Sequence, residues 1–417
     1  VTVDLSNDGN VLAVAAPASA AGDGFFAAGQ ILVYEWNDFE SEWQQRGSSL
    51  SGPGPGSIVG VIGNMCLSGD GTTVAFSSLS MLEGAGLVQV WKWQEQEDGD
   101  GWTQLGSDMI GQEKEEQLGR ALSLSEDGSV LALGALPYDT SVELDFGDYI
   151  GYGPATGRAD VYDFDVDLQD WKIRGDPIFG YEKEDFGRSV ELSSDGNIVA
   201  VKAFEYTSWE SSTSDDLHGR TAVYRWTTTG WTQIGQDIIG ASYKAETISL
   251  SADGLTLAIV ADSNTDFSSI PPELDGSGNL RVFTFKDDGN GGVWTQKGNA
   301  LYQDEKDDRF HISLSADGQR LAVSYELQAD PWTGKVSVLE WNGVDDDDGD
   351  DGEWVPTGQE LVGAHPFSLF GHGVAISADG SILAIGSPFF EGEDTNGAPN
   401  SPLGRVEVYS WQSKQES

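Results

Sequence analysis

Short runs in which apolar and small polar residues alternate recur along this chain, each followed by a run that is apolar throughout. Ser189-Val190-Glu191-Leu192-Ser193, Ile248-Ser249-Leu250-Ser251 and Ile312-Ser313-Leu314-Ser315 carry the two-residue period of a strand. Each leads into Asp-Gly, a pair that tolerates the positive φ of a tight hairpin and predicts a two-residue turn. The apolar runs that follow, at 11–15, 130–134, 198–201, 257–260 and 382–386, predict strands covered on both faces. After a variable loop comes a third segment ending in an aromatic residue, at 31–36, 88–93, 159–164, 221–226, 280–285, 336–341 and 406–411. A fourth opens with Trp and carries Gly four residues on: Trp43/Gly47, Trp102/Gly106, Trp171/Gly175, Trp231/Gly235, Trp294/Gly298 and Trp354/Gly358. No comparable stretch has helical periodicity with caps.

The Asp-Gly pairs begin at Asp8, Asp70, Asp127, Asp195, Asp253, Asp317 and Asp379, at spacings of 62, 57, 68, 58, 64 and 62 residues. Four antiparallel strands repeated seven times predict an all-β chain, a seven-bladed β-propeller of four-stranded antiparallel blades. The repeats run approximately 1–55, 56–116, 117–184, 185–243, 244–307, 308–366 and 367–417 of one propeller domain. A blade cannot bury its own faces, so neighbours must, and the recurring Trp residues are expected at those contacts. The seventh repeat reaches Trp411 without a fourth segment, so its blade is expected to be incomplete. Either a run before Val1 supplies a Trp-x-Gln-x-Gly strand, or an exposed edge invites another chain and self-assembly.

The repeats resemble FG-GAP units, the blades of integrin α-subunits and many secreted proteins. The resemblance rests on Phe186-Gly187 and Phe370-Gly371 before the first strand, and on Ala15-Ala16-Pro17, Gly134-Ala135-Leu136-Pro137 and Gly386-Ser387-Pro388 after the second. WD-repeat propellers share the Ser-x-Asp-Gly turn but have shorter repeats. The FG-GAP resemblance implies a ligand face built from the second-to-third and fourth-to-first loops, and calcium in the first hairpin. Here each hairpin keeps a single Asp, in sequences such as Ser-Asn-Asp-Gly, Ser-Gly-Asp-Gly, Ser-Glu-Asp-Gly or Ser-Ala-Asp-Gly. Calcium takes about six to eight oxygens, so these turns are expected to be metal-free.

Charge narrows the partners. With 22 Lys and Arg against 69 Asp and Glu, the net charge is −47, which argues against nucleic acid and anionic membranes. No run of about 18 apolar residues predicts insertion into a bilayer. The charge favours cationic partners or a saline exterior. Together with the family resemblance it leads us to expect a secreted or cell-surface protein, with a processed start because Val1 is not an initiator Met. The single Cys66 excludes an internal disulfide and reads as a buried small residue. There is no Asn-x-Ser/Thr acceptor for glycosylation.

Chain direction places the long loops on one face of the ring, and binding residues concentrate on loops carried by a rigid scaffold. Those loops bear Tyr138, Phe146, Tyr149 and Tyr152, then Phe204, Tyr206, Trp209 and His218, then Trp332, then Phe389 and Phe390. Arg120, Arg188, Glu246 and His372 hold equivalent positions at the entry to a first strand, aimed at the axial channel on that face. The ligand-binding candidates are therefore Tyr138, Tyr149, Tyr206, Trp209, Trp332, Phe389, Arg120, Arg188 and His372. The two Arg residues suit a carboxylate, or answer Glu182, Glu184 and Asp185. On the opposite face the acidic run 345–351, broken by Gly349, reads as a solvated tip or a loose calcium site.

Signals for chemistry are sparse. The four His residues show no metal-ligand spacing, and no nucleophile elbow or phosphate-cradling loop appears. No cofactor, metal or catalytic residue is assigned. The expected role is a non-catalytic binding or scaffold propeller presenting an aromatic loop face to a protein or glycan partner, or serving as a structural subunit of an extracellular assembly. The alternative is a polysaccharide lyase or glycoside hydrolase with an acidic site at the channel mouth, which needs two carboxylates at defined separation.

Overall fold

The computed structural model describes residues 2–17, 28–54, 57, 59, 65–95, 101–136, 138–145, 150–154, 156–182, 184–204, 219–241, 247–260, 280–299, 301, 309–326, 333–343, 352–390 and 404–411. Among them there is no helix. Seven antiparallel sheets follow one another in sequence. Blade 1 is Val3–Leu5, Val11–Ala16, Gln30–Asn37 and Glu42–Gln45. Its counterparts begin with Met65–Leu67, Leu122–Leu124, Ser189–Leu192, Ile248–Leu250, Arg309–Leu314 and Gly373–Ile376. Among the described residues blade 7 has three strands, ending in Arg405–Ser410. In blades 1 to 4 the outer strand is split, and a short piece such as Leu50–Ser51 or Ile178–Phe179 resumes pairing with the third strand. The long loop of blade 3 contains a hairpin of its own, Tyr138–Asp145 with Ile150–Pro154.

The Asp-Gly turns are built alike in all seven blades, but not as two-residue hairpins. Four residues lie between the flanking pair, as 7–10 do between Ser6 and Val11, and the Ser carbonyl accepts the Gly N–H. Asp enforces the longer loop. Its Oδ1 accepts the Ser hydroxyl at 2.6–2.8 Å. It also accepts the N–H two residues on at 2.8–3.0 Å. The Ser oxygen in turn accepts the N–H that opens the second strand. The carboxylate is thus committed to the turn. Gly takes φ of +66° to +72°, and a Cβ there meets the preceding blade: at Gly254 it lies 2.8 Å from Ile198.

Seven apolar clusters form the core, and each joins two neighbouring blades. One spans Val11, Ala13 and Ile31 of blade 1 with Met65, Val74 and Phe76 of blade 2. The last spans Val3, Leu5 and Leu12 of blade 1 with Ala375 and Ala384 of blade 7. The apolar second strands are therefore covered on both faces, as their composition requires. Cys66 belongs to the cluster between blades 2 and 3.

Two further sets of links stitch the blades. The third-strand aromatic meets the fourth-strand Trp at 5.3–5.6 Å between ring centroids in six blades. The Trp indole of blades 2 to 6 donates to a carbonyl of the preceding blade at 2.8–3.1 Å. The Gly four residues after each Trp, at φ of +69° to +76°, slides beneath a Trp of the next blade. On the Asp-Gly face, N–H···O=C bonds run Asn7 to Gly69, Asp70 to Glu126, Glu126 to Ser194, Ser194 to Ala252, Ala252 to Ala316, Ala316 to Ala378 and Ala378 back to Asn7, at 2.7–2.9 Å. The ring is closed between blade 7 and blade 1 by this bond and by their shared apolar cluster.

Candidate functional site

The seven innermost strands surround an axial cavity of about 310 Å³. Around its wall, the residue four before each Asp-Gly Asp forms a belt: Asp4, Cys66, Ser123, Glu191, Ser249, Ser313 and Ala375. Most of this belt is knitted from blade to blade. Asp4 accepts the Leu67 N–H at 2.8 Å, Ser123 that of Leu192 at 3.0 Å, Ser249 that of Leu314 at 3.0 Å and Ser313 that of Ile376 at 3.1 Å. The Leu124 amide meets the Cys66 sulfur in the same way. Ala375 has no acceptor, and Asp4 itself takes the Leu5 N–H at 2.9 Å.

Two carboxyls therefore face the cavity where alternation would allow a small or apolar side chain. Burial, reinforced by the charge of Asp4, pushes Glu191 up to about 8, against a hydrogen bond from Ser123. Burial raises Asp4 to about 6, opposed by the Leu67 and Leu5 amides. Burial, with the charges of Asp4 and Glu191, also pushes the Cys66 thiol upward.

Above the belt, on the long-loop face, Arg120, Arg188, His311 and His372 line the same cavity. The Phe-Gly and Leu-Gly lead-ins explain why. Gly119 and Arg120 both donate to the Gly134 carbonyl, and Gly187 and Arg188 both donate to that of Lys202. Two residues oppose one, which is a bulge, and a bulge re-aims the side chain that follows it. Phe186 and Phe370 are buried beside these lead-ins, and Gly187 and Gly371 take φ of +98° and +95°. The His311 and His372 rings stand 5.3 Å apart.

Acidic neighbours divide their duties here. Asp185 pairs with Arg188 at 3.1 Å. Glu184, buried, instead grips Arg220 of the third strand at 2.6 and 2.8 Å, while Arg220 also reaches Asp237 and stacks over Tyr181. Blade 3 repeats this latch with Glu116 on Arg158.

Of the sequence-predicted residues, Arg120, Arg188 and His372 are thus brought together at one mouth. Phe389 is exposed on the same face, with its N–H donated to Ser368. Tyr138 lies on the extra hairpin of blade 3. Tyr149, Tyr206, Trp209 and Trp332, along with Glu246 and the acidic run 345–351, lie outside the described residues. Sequence reasoning missed His311, which sits six rather than seven residues before its Asp, and the belt carboxyls Asp4 and Glu191. The signal for the belt was present as one polar position recurring at a fixed offset. Among the described residues no three His, Cys, Asp or Glu side chains cluster as metal ligands would.

No protein-family model and no curated protein matches this chain. Solved structures do. A Lactobacillus plantarum protein is similar with a TM-score of 0.51 at 12% identity, over 96% of this chain and 99% of that one. The C-terminal WD40 domain of Sif2 is similar with a TM-score of 0.50 at 10% identity, over 99% and 96%. Prolyl oligopeptidase B from Galerina marginata is similar with a TM-score of 0.51 at 11% identity, over 98% of this chain and 48% of that one. An enzyme and a WD40 domain stand side by side in this set, so at such identities the likeness establishes the propeller fold and leaves function to the site.

Proposed function

We propose that this chain is a non-catalytic binding propeller of the FG-GAP kind, secreted or displayed at a cell surface, whose long-loop face engages a protein or glycan partner. The observation that carries this reading is the convergence of Arg120, Arg188, His311 and His372 on one channel mouth of a protein with net charge −47. Arg side chains bind carboxylates with two parallel hydrogen bonds. A cavity of about 310 Å³ is at the small end of ligand pockets, which run to ~1,000 Å³. It accommodates one terminal acidic group of a larger partner, while the flanking loops, with Trp209, Trp332 and Phe389, contact the rest.

The test is capture of partners from an extracellular extract, and of immobilised acidic glycans, by the wild type and by Arg120→Ala, Arg188→Ala, Trp209→Ala and Trp332→Ala. Loss of capture in the Arg variants supports the mouth as anchor, and loss in the Trp variants supports the loops as contacts. Capture unchanged in all four removes the loop face as the binding surface.

One observation favours a second reading, a carbohydrate-active enzyme. Asp4 and Glu191 are coupled carboxyls whose surroundings push their protonation apart, the pattern of an acid and base pair. Against it, both oxygens of Asp4 already hold backbone amides and the pair lies below the mouth. Glycan turnover abolished by Glu191→Gln would establish the enzyme and overturn the binding reading.

A further inference from the structure

The charges that line the axial cavity are sorted by depth. Among the described residues, every basic side chain of its wall stands at the long-loop mouth. Arg120, Arg188, His311 and His372 lie six or seven residues before their Asp-Gly Asp. Every acidic side chain of the wall lies deeper. Asp4 and Glu191 sit in the belt, and Glu126 sits beside the amide circuit on the Asp-Gly face. The cavity is therefore positive at its entrance and negative beneath it.

This polarity disfavours simple anions and simple cations alike. A carboxylate held at the mouth has the belt carboxyls behind it, and the net charge of −47 repels free anions. A cation bound for the belt must pass the two Arg residues. A molecule with a carboxylate at one end and an ammonium at the other satisfies both layers, and its zero net charge spares it the repulsion. The belt has a use for the ammonium. Burial, with the charge of Asp4, raises Glu191 to about 8, and a cation brought against both carboxyls offsets these causes.

Length and wall chemistry narrow the molecule further. Arg188 and Glu191 are three residues apart in blade 4, which is ~10 Å at the rise of a strand. An extended tripeptide spans the same ~10 Å. Ser249 and Ser313 accept the Leu314 and Ile376 amides through their hydroxyl oxygens, which leaves each O–H to donate to a carbonyl of the occupant.

We propose that the axial cavity is a binding site for a short linear peptide with free ends, its carboxylate at Arg120 and Arg188 and its ammonium at Asp4 and Glu191. The inference deepens the reading of the mouth as a carboxylate anchor and rests on it. Arg188 serves both Asp185 and the peptide, because a guanidinium carries five N–H donors.

The experiment is calorimetric titration of the full chain at pH 7 with triglycine, N-acetyltriglycine, triglycinamide and 8-aminooctanoate. The last matches the triglycine backbone atom for atom without its amides. Saturable one-to-one binding of triglycine is expected, at least tenfold weaker for each of the other three. Glu191→Gln, checked for its fold by circular dichroism, should weaken triglycine at least tenfold and leave N-acetyltriglycine unchanged. Equal binding of triglycine and N-acetyltriglycine overturns the inference and leaves the carboxylate mouth standing. Equal binding of triglycine and triglycinamide overturns both. Binding of 8-aminooctanoate as tight as that of triglycine overturns the choice of a peptide. Triglycine binding that ignores Glu191→Gln overturns the inference. So does the absence of saturable binding up to millimolar ligand, and capture by Arg120→Ala and Arg188→Ala then judges the mouth alone.

Discussion

The indole Nε1 of Trp294 donates to the carbonyl of Ile234 at 3.0 Å, across the boundary between blades 4 and 5. The side chain is 3% exposed, so the bond lies within the apolar cluster that joins the two blades.

Trp294→Phe leaves that carbonyl without its donor and opens a small void. A loss of about 1–3 kcal/mol is expected, and about 3–5 kcal/mol for Trp294→Ala, read as a shift of the urea midpoint at constant slope. Trp43→Phe should cost less, because the described residues of blade 7 place no equivalent carbonyl before it.

Gly254→Ala meets two obstacles at once. The residue sits at φ +72°, and the added methyl lies 2.8 Å from Ile198 of blade 4. Destabilisation of about 2–4 kcal/mol is expected, whereas Gly101→Ala, with open space around it, should be near neutral. Thermal melts of the two variants side by side separate the effects.

Ser123→Ala removes the acceptor for the buried Leu192 N–H and the donor to Glu191. A loss of about 1–3 kcal/mol is expected from the unsatisfied amide. Hydrogen exchange should show faster opening at Leu192, and no such change at Leu124, whose amide faces Cys66.

Stability should fall as pH rises toward 8. Burial raises Glu191 from 4.5 to about 8 in the folded protein. Between those values the folded form holds a proton that the unfolded chain has released, so folding is favoured at the acid end of the window and loses ground as pH rises through it. Each unit is worth ~1.4 kcal/mol, and the change should be on the order of 2–4 kcal/mol. Glu191→Gln should flatten this slope in denaturant titrations at pH 5 and pH 8. The turn carboxylates act oppositely and elsewhere. Desolvation of Asp195 is outweighed by hydrogen bonds from Ser193 and Asn197, so its contribution is present at neutral pH and lost only under acid conditions.

The blades were legible in the chain because Ser-x-Asp-Gly and Trp-x-x-x-Gly are local devices, each fixed by side chains within a few residues. The turn length was misread because the Asp side chain, not the backbone alone, closes the loop. The channel mouth was half legible. Arg120, Arg188 and His372 share one offset from their Asp, but His311 does not, since its strand Arg309–Leu314 starts earlier and shifts which residue leans inward. The latches of Glu184 on Arg220 and Glu116 on Arg158 were hidden, because partners 36 and 42 residues apart meet only once the sheet has formed. The alternation of Ser189 to Ser193 does not say which side of the strand Glu191 takes. Glu191 faces inward because the innermost strands turn their second side to the axis.

The amide-to-carbonyl circuit that leaves Asn7 and returns to it through Ala378 has no beginning from which to fray. In a linear array, terminal units melt first and the middle survives. Here each sector leans on two others, so losing one deprives all seven of their circuit. Heating should therefore dissolve the molecule in a single cooperative step, and nicking a long loop should disturb it far less than excising any sector.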